Sequence, residues 1–395
     1  MSGLYPAARR WRIWTMLGVI VAMSGLTWGV VGRSLSSLFN RPVLIGLAAF
    51  CAIAIIFPLT RPSSPILIGL VVLLCAAAFA GQQLGRRYPG LGKFLSAGWF
   101  TSYFVMLWLL SGGDLRDSLL FLAIVLAVAA VAGWQLASRV SLLPQLGFLE
   151  KLVLFVIGFV VTYVVIQFIS GLIGFDISVR SVSTSDWGGL TLTLLLAITG
   201  IALCFPIGVI MALGRRSELP VVKGLSIAYI ELIRGVPLIS ILFMGQVMIP
   251  LFLPEGVRPD RVVRAIIGLT IFSSAYLAEN VRAGLQAVPR GQFEAAASMG
   301  LNKPLTLGLI VLPQALKTAI PAIVGQFISL FQDTTLLGVV GLVELLGISN
   351  SILANPKYLG RYSEVYLFIA VLYWFFCYAM SLASRRLEQQ LNTER

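Results

Sequence analysis

The stretch from 188 to 213 reads GGLTLTLLLAITGIALCFPIGVIMAL and contains no charged residue. An apolar segment of about 20 residues or more is long enough to cross the ~30 Å hydrocarbon core of a bilayer as a helix. Comparable apolar runs recur along the chain, at 13–31, 43–59, 66–84, 95–112, 118–136, 148–173, 188–213, 224–253, 263–285, 305–331 and 362–384. The pattern predicts an all-α, polytopic integral membrane protein with about eleven spanning helices.

Composition supports the same class of protein. Hydrophobic residues make up 58% of the chain, charged residues make up 11%, and the mean hydropathy is +0.94. A soluble domain would carry about 25% charged residues. The formal charge of +13 is spread in short clusters between apolar runs, which is typical of cytoplasmic loops and not of a nucleic-acid-binding surface.

The sequence offers little for catalysis or metal binding. It has no histidine, which removes the commonest general base and metal ligand and with them most hydrolase functions. The cysteines lie inside apolar runs without paired spacing, as small buried side chains do; they are Cys51, Cys75, Cys204 and Cys377. No GxxxxGK[ST] phosphate loop occurs, so we expect that the chain does not hydrolyse ATP by itself. We also expect no enzyme activity, no cofactor and no metal.

Loop charges orient the second half of the chain. Basic residues follow the run 188–213, occupy 286–304 and return after 384, and these segments are separated by two spans each. The positive-inside rule places them, and the C-terminus, in the cytoplasm. The side of the N-terminus stays open. Six upstream spans put it outside despite Arg9, Arg10 and Arg12, whereas five put it inside, and six are weakly favoured.

The run 224–253 is interrupted by Arg234-Gly235-Val236-Pro237. Proline lacks a backbone donor and disfavours helix at the residue before it, so this stretch should be a broken helix. Irregular backbone at membrane depth is tolerated only against protein or a water-filled cavity. The break therefore indicates a pore in the second half.

A polar stretch between two spans is the most informative segment. Residues 288–301 read VPRGQFEAAASMGL on the predicted cytoplasmic side. Residues 292–299 favour a short helix, and Gly300 suits a left-handed C-cap. The alanines at 295–297 would give a small, flat surface that another protein could cover. The alternative is an ordinary amphipathic connector.

This segment resembles the EAA loop of ABC importer permeases, through Glu294-Ala295-Ala296, Gly300 and the later IVLP at 310–313. Flanking segments resemble the polar amino acid permeases, the group with histidine, glutamine and arginine importers. The likeness is strongest to the larger permease subunits of broad-range L-amino acid importers. It covers about 187–390 and rests on WGGLTLT at 187–193, ELIRGVPL at 231–238, AYLAENVR at 275–282 and DTTL at 333–336.

The resemblance implies a type I ABC importer permease core of five helices at 188–384, preceded by about six additional spans. Within the loop 288–315, the residues that would contact a separate ATPase are Gly291, Glu294, Ala295, Ala296 and Gly300. We expect 1–147 to be an N-terminal transmembrane extension, 148–187 a linking span with an external loop, and 385–395 a cytoplasmic tail. The implied partners are an ATPase dimer, a second homologous permease in a heterodimer, an extracytoplasmic solute-binding protein and membrane lipid, all at a bacterial inner membrane.

A stripe of polar residues suggests where an amino acid would pass. Gln326, Ser329 and Asp333 stand at i, i+3 and i+7 and so share one helical face. The resemblance places the positions of Gln326 and Asp333 on the substrate path. Alternatively, Asp333 caps a following helix from Thr334 to Leu345.

Three other polar groups keep two interpretations each. Gln246 either lines the pore or bridges two helices. Glu279 either forms an intrahelical ion pair with Arg282 or serves gating and substrate contact, and Glu231 with Arg234 repeats that choice.

Other functional classes fit the sequence less well. An ion-coupled transporter predicts an intramembrane charge relay and inverted repeats, neither of which is evident. A sensor or scaffold would not need the intact loop or the polar stripe, and an exporter would lack the loop pattern. The sequence therefore favours an importer permease.

Overall fold

The computed structural model describes residues 6–31, 63–87, 95–114, 160–161, 165, 178–254 and 258–392. These residues are mostly helical, as predicted for an all-α membrane protein, and include one two-residue antiparallel ladder that pairs Gly113–Asp114 with Ser178–Val179. The chain divides into one compact unit of Pro6–Ser183 and another built mainly from Thr184–Arg395. The predicted spans 43–59 and 118–136, and nearly all of 148–173, lie outside the described residues.

The first unit contains a 3₁₀ turn at Ala7–Arg9 and the helices α1 (Trp11–Val31), α2 (Ser63–Arg87) and α3 (Leu95–Ser111). Two of the predicted spans, 13–31 and 66–84, are thus confirmed within a few residues, and the run 95–112 is a helix that is shorter than a candidate span. Glycines allow α1 and α2 to pack closely, because a Cβ added at Gly25 or Gly29 would overlap the backbone of α2. Helix α3 is tied to α1 by a hydrogen bond of 2.9 Å from the Trp99 indole to the Thr27 hydroxyl.

The basic N-terminal cluster lies beside the end of the same unit. The Arg9 guanidinium donates to the Ser181 carbonyl at 2.6 Å, and Arg12 donates to the Arg180 carbonyl at 2.9 Å. Both ends of the unit therefore lie at the same end of α1.

The second unit has eight α-helices longer than one turn among its described residues. They are α4 (Gly189–Arg215), α5 (Pro220–Arg234), α6 (Leu238–Met248), α7 (Arg261–Ala287), α8 (Arg290–Ser298), α9 (Leu312–Asp333), α10 (Leu345–Leu353) and α11 (Tyr362–Asn392). Shorter elements are 3₁₀ turns at Thr184–Asp186, Ile249–Phe252, Thr334–Val340 and Pro356–Tyr358, a helical turn at Lys303–Leu305 and a π-helix at Thr306–Val311.

Six helical stretches in the described residues are long and apolar enough to span a membrane, and α5 with α6 forms a seventh candidate bent by 106°. The predicted break at 234–237 is therefore confirmed. Apolar length matches the prediction elsewhere in this unit, because α4, α7 and α11 cover their predicted runs within one residue, and α9 covers 305–331 together with the helical segments at 303–311.

The core of the second unit lies between α4, α7 and α9. Small residues bring these helices together, since a Cβ at Gly208 would overlap the Leu277 side chain and one at Gly284 would overlap the Ala315 carbonyl. Fully buried apolar residues fill the space between them, among them Cys204, Val281 and Leu330. Such close packing makes the three helices a firm frame for the segments attached to them.

A buried carboxylate anchors α10 to this frame. Glu344 is 1% exposed, and its side chain accepts hydrogen bonds from the amides of Leu346 and Gly347 at 2.6 and 2.7 Å. Burial raises the pKa of Glu344 above its ordinary value, and the two amide hydrogen bonds partly offset that rise. The Leu345 amide also donates to the Thr193 hydroxyl of α4 at 3.0 Å.

Candidate functional site

The predicted loop helix is present as α8, which connects the core helices α7 and α9. The chain leaves it through a Schellman motif, in which the Leu301 amide donates to the Ala296 carbonyl and the Gly300 amide to the Ala297 carbonyl. Gly300 has φ +74°, the left-handed conformation that favours glycine. The predicted short helix and its C-cap are confirmed.

Helix α8 is held against the core from three sides. The Ala296 side chain on the inner face of α8 is buried. The half-buried Phe293 ring lies 5.7 Å from the guanidinium of Arg216, which follows the last residue of α4. Arg216 also donates to the Leu285 carbonyl of α7 at 3.1 Å. On the α9 side, the Gln314 amide donates to Gln292 at 3.1 Å. Helix α8 is therefore linked to α4, α7 and α9.

The opposite face of α8 is open. Gly291, Glu294, Ala295 and Gly300 are exposed, and a Cβ added at Gly291 would meet nothing within 4 Å. Met299 is 80% exposed at the end of this face. Of the five residues predicted to contact an ATPase, four therefore lie on the accessible surface and Ala296 points inward.

A cluster of charges lies at the ends of α4, α5 and α7. Glu279 of α7 accepts hydrogen bonds from Arg282, one of them at 2.9 Å from Nε, which confirms the predicted intrahelical ion pair. Its second carboxylate oxygen lies 3.7 Å from Arg215 and 3.9 Å from Arg234. Glu231 pairs with Arg215 at 2.8 Å instead of with Arg234 in its own helix. The cluster links three helices and contains one more arginine than carboxylates.

The polar stripe lies on α9, but one of its two interpretations is wrong. Asp333 makes no side-chain capping hydrogen bond, and the segment after it is a 3₁₀ turn that ends at the left-handed Gly341. Asp333 therefore does not cap a helix from Thr334 to Leu345, because the helical backbone continues through residue 333 into that turn. The nearby cap is Glu344, at the start of α10.

The three stripe residues lie close to the surface of the second unit. Gln326 and Asp333 are half-buried and Ser329 is exposed. Within the part of the chain that the structure describes, none of the three makes a side-chain hydrogen bond or an ion pair, and Asp333 is thus a carboxylate without a protein partner.

Gln246 joins two helices. The Gln246 side-chain amide donates to the Arg261 backbone carbonyl at 3.0 Å, and the Gln246 backbone carbonyl accepts from the Arg264 side chain. The bridging interpretation is confirmed, and the geometry fixes α6 along the first two turns of α7.

Sequence reasoning missed the groups that hold α8 and the cluster in place. Arg215 and Arg216 were used only as markers of the cytoplasmic side, although they contact Glu231, Glu279 and Phe293. The available signal was their position in the last turn of a helix, where basic side chains commonly meet neighbouring segments. Lys303 was likewise used only as a marker of the cytoplasmic side, although it pairs with Glu218.

Comparisons with known proteins agree with this architecture. The family model for the binding-protein-dependent transport system inner membrane component matches residues 204–393. The inner membrane amino-acid ABC transporter permease protein YhdY of Escherichia coli is 50% identical over 218 residues, which are 55% of this chain and 59% of that protein. The probable glutamine ABC transporter permease protein GlnP of Bacillus subtilis is 39% identical over 202 residues, 51% of this chain and 91% of that protein.

Another similar protein is the glutamate/glutamine/aspartate/asparagine transport system permease protein BztC of Rhodobacter capsulatus, at 43% identity over 219 residues and with 55% of this chain and 50% of that protein covered. The match therefore spans only half to three fifths of the length of YhdY and BztC. A crystal structure of an amino acid ABC transporter with histidines shares 32% identity, with a TM-score of 0.46 over 51% of this chain and 92% of that one. The chain belongs to the family of binding-protein-dependent transport system inner membrane components, among the amino-acid ABC importer permeases.

Proposed function

We propose that this chain is the membrane-spanning permease subunit of an ATP-driven importer, and that it translocates polar L-amino acids delivered by an extracytoplasmic binding protein. The observation that carries the proposal is α8, a short helix with an open face of small residues on one side and firm attachment to the core on the other. With this arrangement, a separate ATPase subunit could bind the open face of α8 and move the core helices attached to its other side.

The coupling step follows from the attachments of α8. An ATPase dimer that closes on ATP would move α8, and the contacts through Arg216, Phe293 and Gln314 would carry that movement to α4, α7 and α9. For ATP and the loaded binding protein to drive transport, each must have different affinities for the two access states of the pore.

The polar stripe on α9 supplies candidate contacts for the substrate. A carboxylate in a spanning helix is costly unless it faces a cavity or a partner charge. Asp333, which has no partner among the described residues, would suit the α-ammonium group of an amino acid. Gln326 would serve the polar remainder, and Ser329 lies on the same exposed side. Names of the relatives support amino acids as the substrate class, since YhdY, GlnP and BztC are each named for amino-acid transport.

The permease would not act alone. A second homologous permease would complete the pore in a heterodimer, and two ATPase subunits would bind on the α8 side. The membership of the chain in a binding-protein-dependent family supports the need for a binding protein. We place the complex in a bacterial inner membrane with the C-terminus of this chain in the cytoplasm.

Charge reversal on α8 tests the coupling role. In the assembled transporter, Glu294→Lys should lower amino-acid uptake at least about tenfold, equivalent to about 1.4 kcal/mol of lost coupling, while membrane insertion and yield stay normal. Glu364→Lys is the matched control, because Glu364 is also exposed but lies at the start of α11 and pairs only with Arg361. Normal uptake by the Glu294 variant would refute the assignment of α8.

A further inference from the structure

Helix α5 does not run in the spanning direction. Helix α6 lies antiparallel along α7, with Leu242 beside Gly268 and Gln246 bonded to Arg261. Because α5 and α6 meet at 106°, α5 is nearly perpendicular to α7 and α6. The sequence had predicted α5 and α6 as two halves of one broken span, but only α6 has the orientation of a spanning segment.

The contacts of α5 with α4 lie at one level of that helix. Ser226 abuts Gly214, and Glu231 pairs with Arg215, so residues from different turns of α5 meet adjacent residues at the end of α4. Arg234, at the end of α5, lies 3.9 Å from Glu279. Ser226 and Glu231 are about 7.5 Å apart along α5, yet their contacts advance by only one residue along α4. Helix α5 therefore lies across the ends of its neighbours.

That level matches the edge of a bilayer. Helix α7 has 27 residues, or about 40 Å, which exceeds the ~30 Å hydrocarbon core by about seven residues. Its first turn carries Arg261 and Arg264, so a 30 Å span that begins there ends near residue 281. Glu279 and the charged cluster lie at this boundary, and α8 follows beyond it.

The surface of α5 is divided as an interfacial helix requires. Val221, Leu225 and Leu232 are 71%, 68% and 66% exposed and fall on one side at i, i+4 and i+11. Lys223 and Arg234 project from roughly the opposite side of the helix. Ser226 and Ile230, which adjoin Lys223 on the helix surface, are buried against the protein. An exposed apolar stripe opposite a basic side is the signature of a helix at a membrane surface.

Basic residues near α5 indicate which membrane component meets it. Arg215 and Arg216 at the neighbouring end of α4 contact Glu231, Glu279 and the Leu285 carbonyl, whereas Lys223 is exposed on α5. An exposed cation at this depth is attracted to the anionic headgroups of the cytoplasmic leaflet. A protein partner would explain the apolar stripe but not a basic side opposite to it.

We propose that α5 lies in the boundary between headgroups and acyl chains of the cytoplasmic leaflet, with Val221, Leu225 and Leu232 in lipid and Lys223 toward the headgroups. The inference depends on the proposed function only in naming this leaflet cytoplasmic. The charged cluster around Glu279 then fixes the height of α5, and α5 connects the lipid surface to the bend that precedes α6.

Spin-label depth measurements test this proposal. A chain whose native cysteines are replaced by serine would receive Leu225→Cys, and in a second variant Lys223→Cys, and be assembled with its partner subunits in phospholipid nanodiscs. We expect the label at 225 to collide with oxygen but not with water-soluble NiEDDA, and the label at 223 to collide more with NiEDDA. Leu232→Cys repeats the test on the same stripe if the first variant does not fold.

Two results would overturn the proposal. NiEDDA access at 225 and 232 equal to that at 223 would place the stripe in water. Exclusion of both reagents at 225 and 232 would show that protein, most directly the sister permease, covers the stripe. Neither readout uses ATP or substrate, so a transporter that fails to import amino acids would still give a valid depth profile. The two proposals can therefore fail separately.

Discussion

Removal of the Glu279 charge should destabilise the second unit. Among the described residues, Glu279 is the carboxylate that lies near Arg215, Arg234 and Arg282 at once, and its side chain is 24% exposed. Two unit charges about 4 Å apart interact by about 4 kcal/mol at the effective dielectric constant near a protein surface. Partial exposure weakens each pair, and the loss of a charge-assisted hydrogen bond costs roughly 1.5–3 kcal/mol. We therefore expect Glu279→Gln to cost about 2 kcal/mol.

Thermal unfolding in detergent measures this effect. A thiol-reactive dye would report unfolding in a background that retains only Cys204, which is fully buried. A unit of this size loses roughly 2–4 °C per kcal/mol, so the midpoint should fall by about 4–8 °C. The control is Glu364→Gln, which removes a single exposed pair with Arg361 at 3.4 Å and should shift the midpoint by less than about 2 °C. An unchanged midpoint for Glu279→Gln, or an equal fall in the control, would refute the reasoning.

Three further changes give distinct outcomes. Gly284→Ala should strongly reduce the folded yield, because the added Cβ would overlap α9. Its control is Gly224→Ala, where the Cβ would meet nothing within 4 Å and helix stability should rise by about 0.5–1 kcal/mol. Comparable yields from the two variants would contradict the close packing at Gly284. Asp333→Asn should weaken uptake of every amino acid substrate with normal yield, as measured by transport competition, and unaltered uptake would exclude Asp333 from the path. Glu344→Ala should lower the thermal unfolding midpoint, because the loss of two hydrogen bonds from backbone amides costs about 1–2 kcal/mol. An unchanged midpoint would show that the cap is dispensable.

The sequence predicted what depends on local pattern. Apolar length identified α1, α4, α7 and α11, proline chemistry identified the break after Arg234, and the demand for a left-handed residue identified the C-cap at Gly300. Each of these is determined within a few residues of chain.

Features that depend on distant parts of the chain escaped sequence reasoning. Glu231 and Asp333 were interpreted from neighbours in sequence, but Glu231 pairs with Arg215 of another helix, and the cap near Asp333 is provided by Glu344. Hydropathy likewise could not distinguish a helix that crosses the bilayer from one that lies across its edge, because α5 and α6 together are long and apolar enough for one span. Its orientation comes from contacts with α4 and α7, which no local pattern encodes.

The most direct test of the account is reconstitution of this chain in liposomes with its ATPase, sister permease and binding protein, followed by uptake of labelled amino acids. We predict uptake that requires both ATP and the binding protein. Unlabelled polar amino acids should reduce the uptake of the labelled ones by competition. Uptake driven by an ion gradient with this chain alone would contradict the importer assignment.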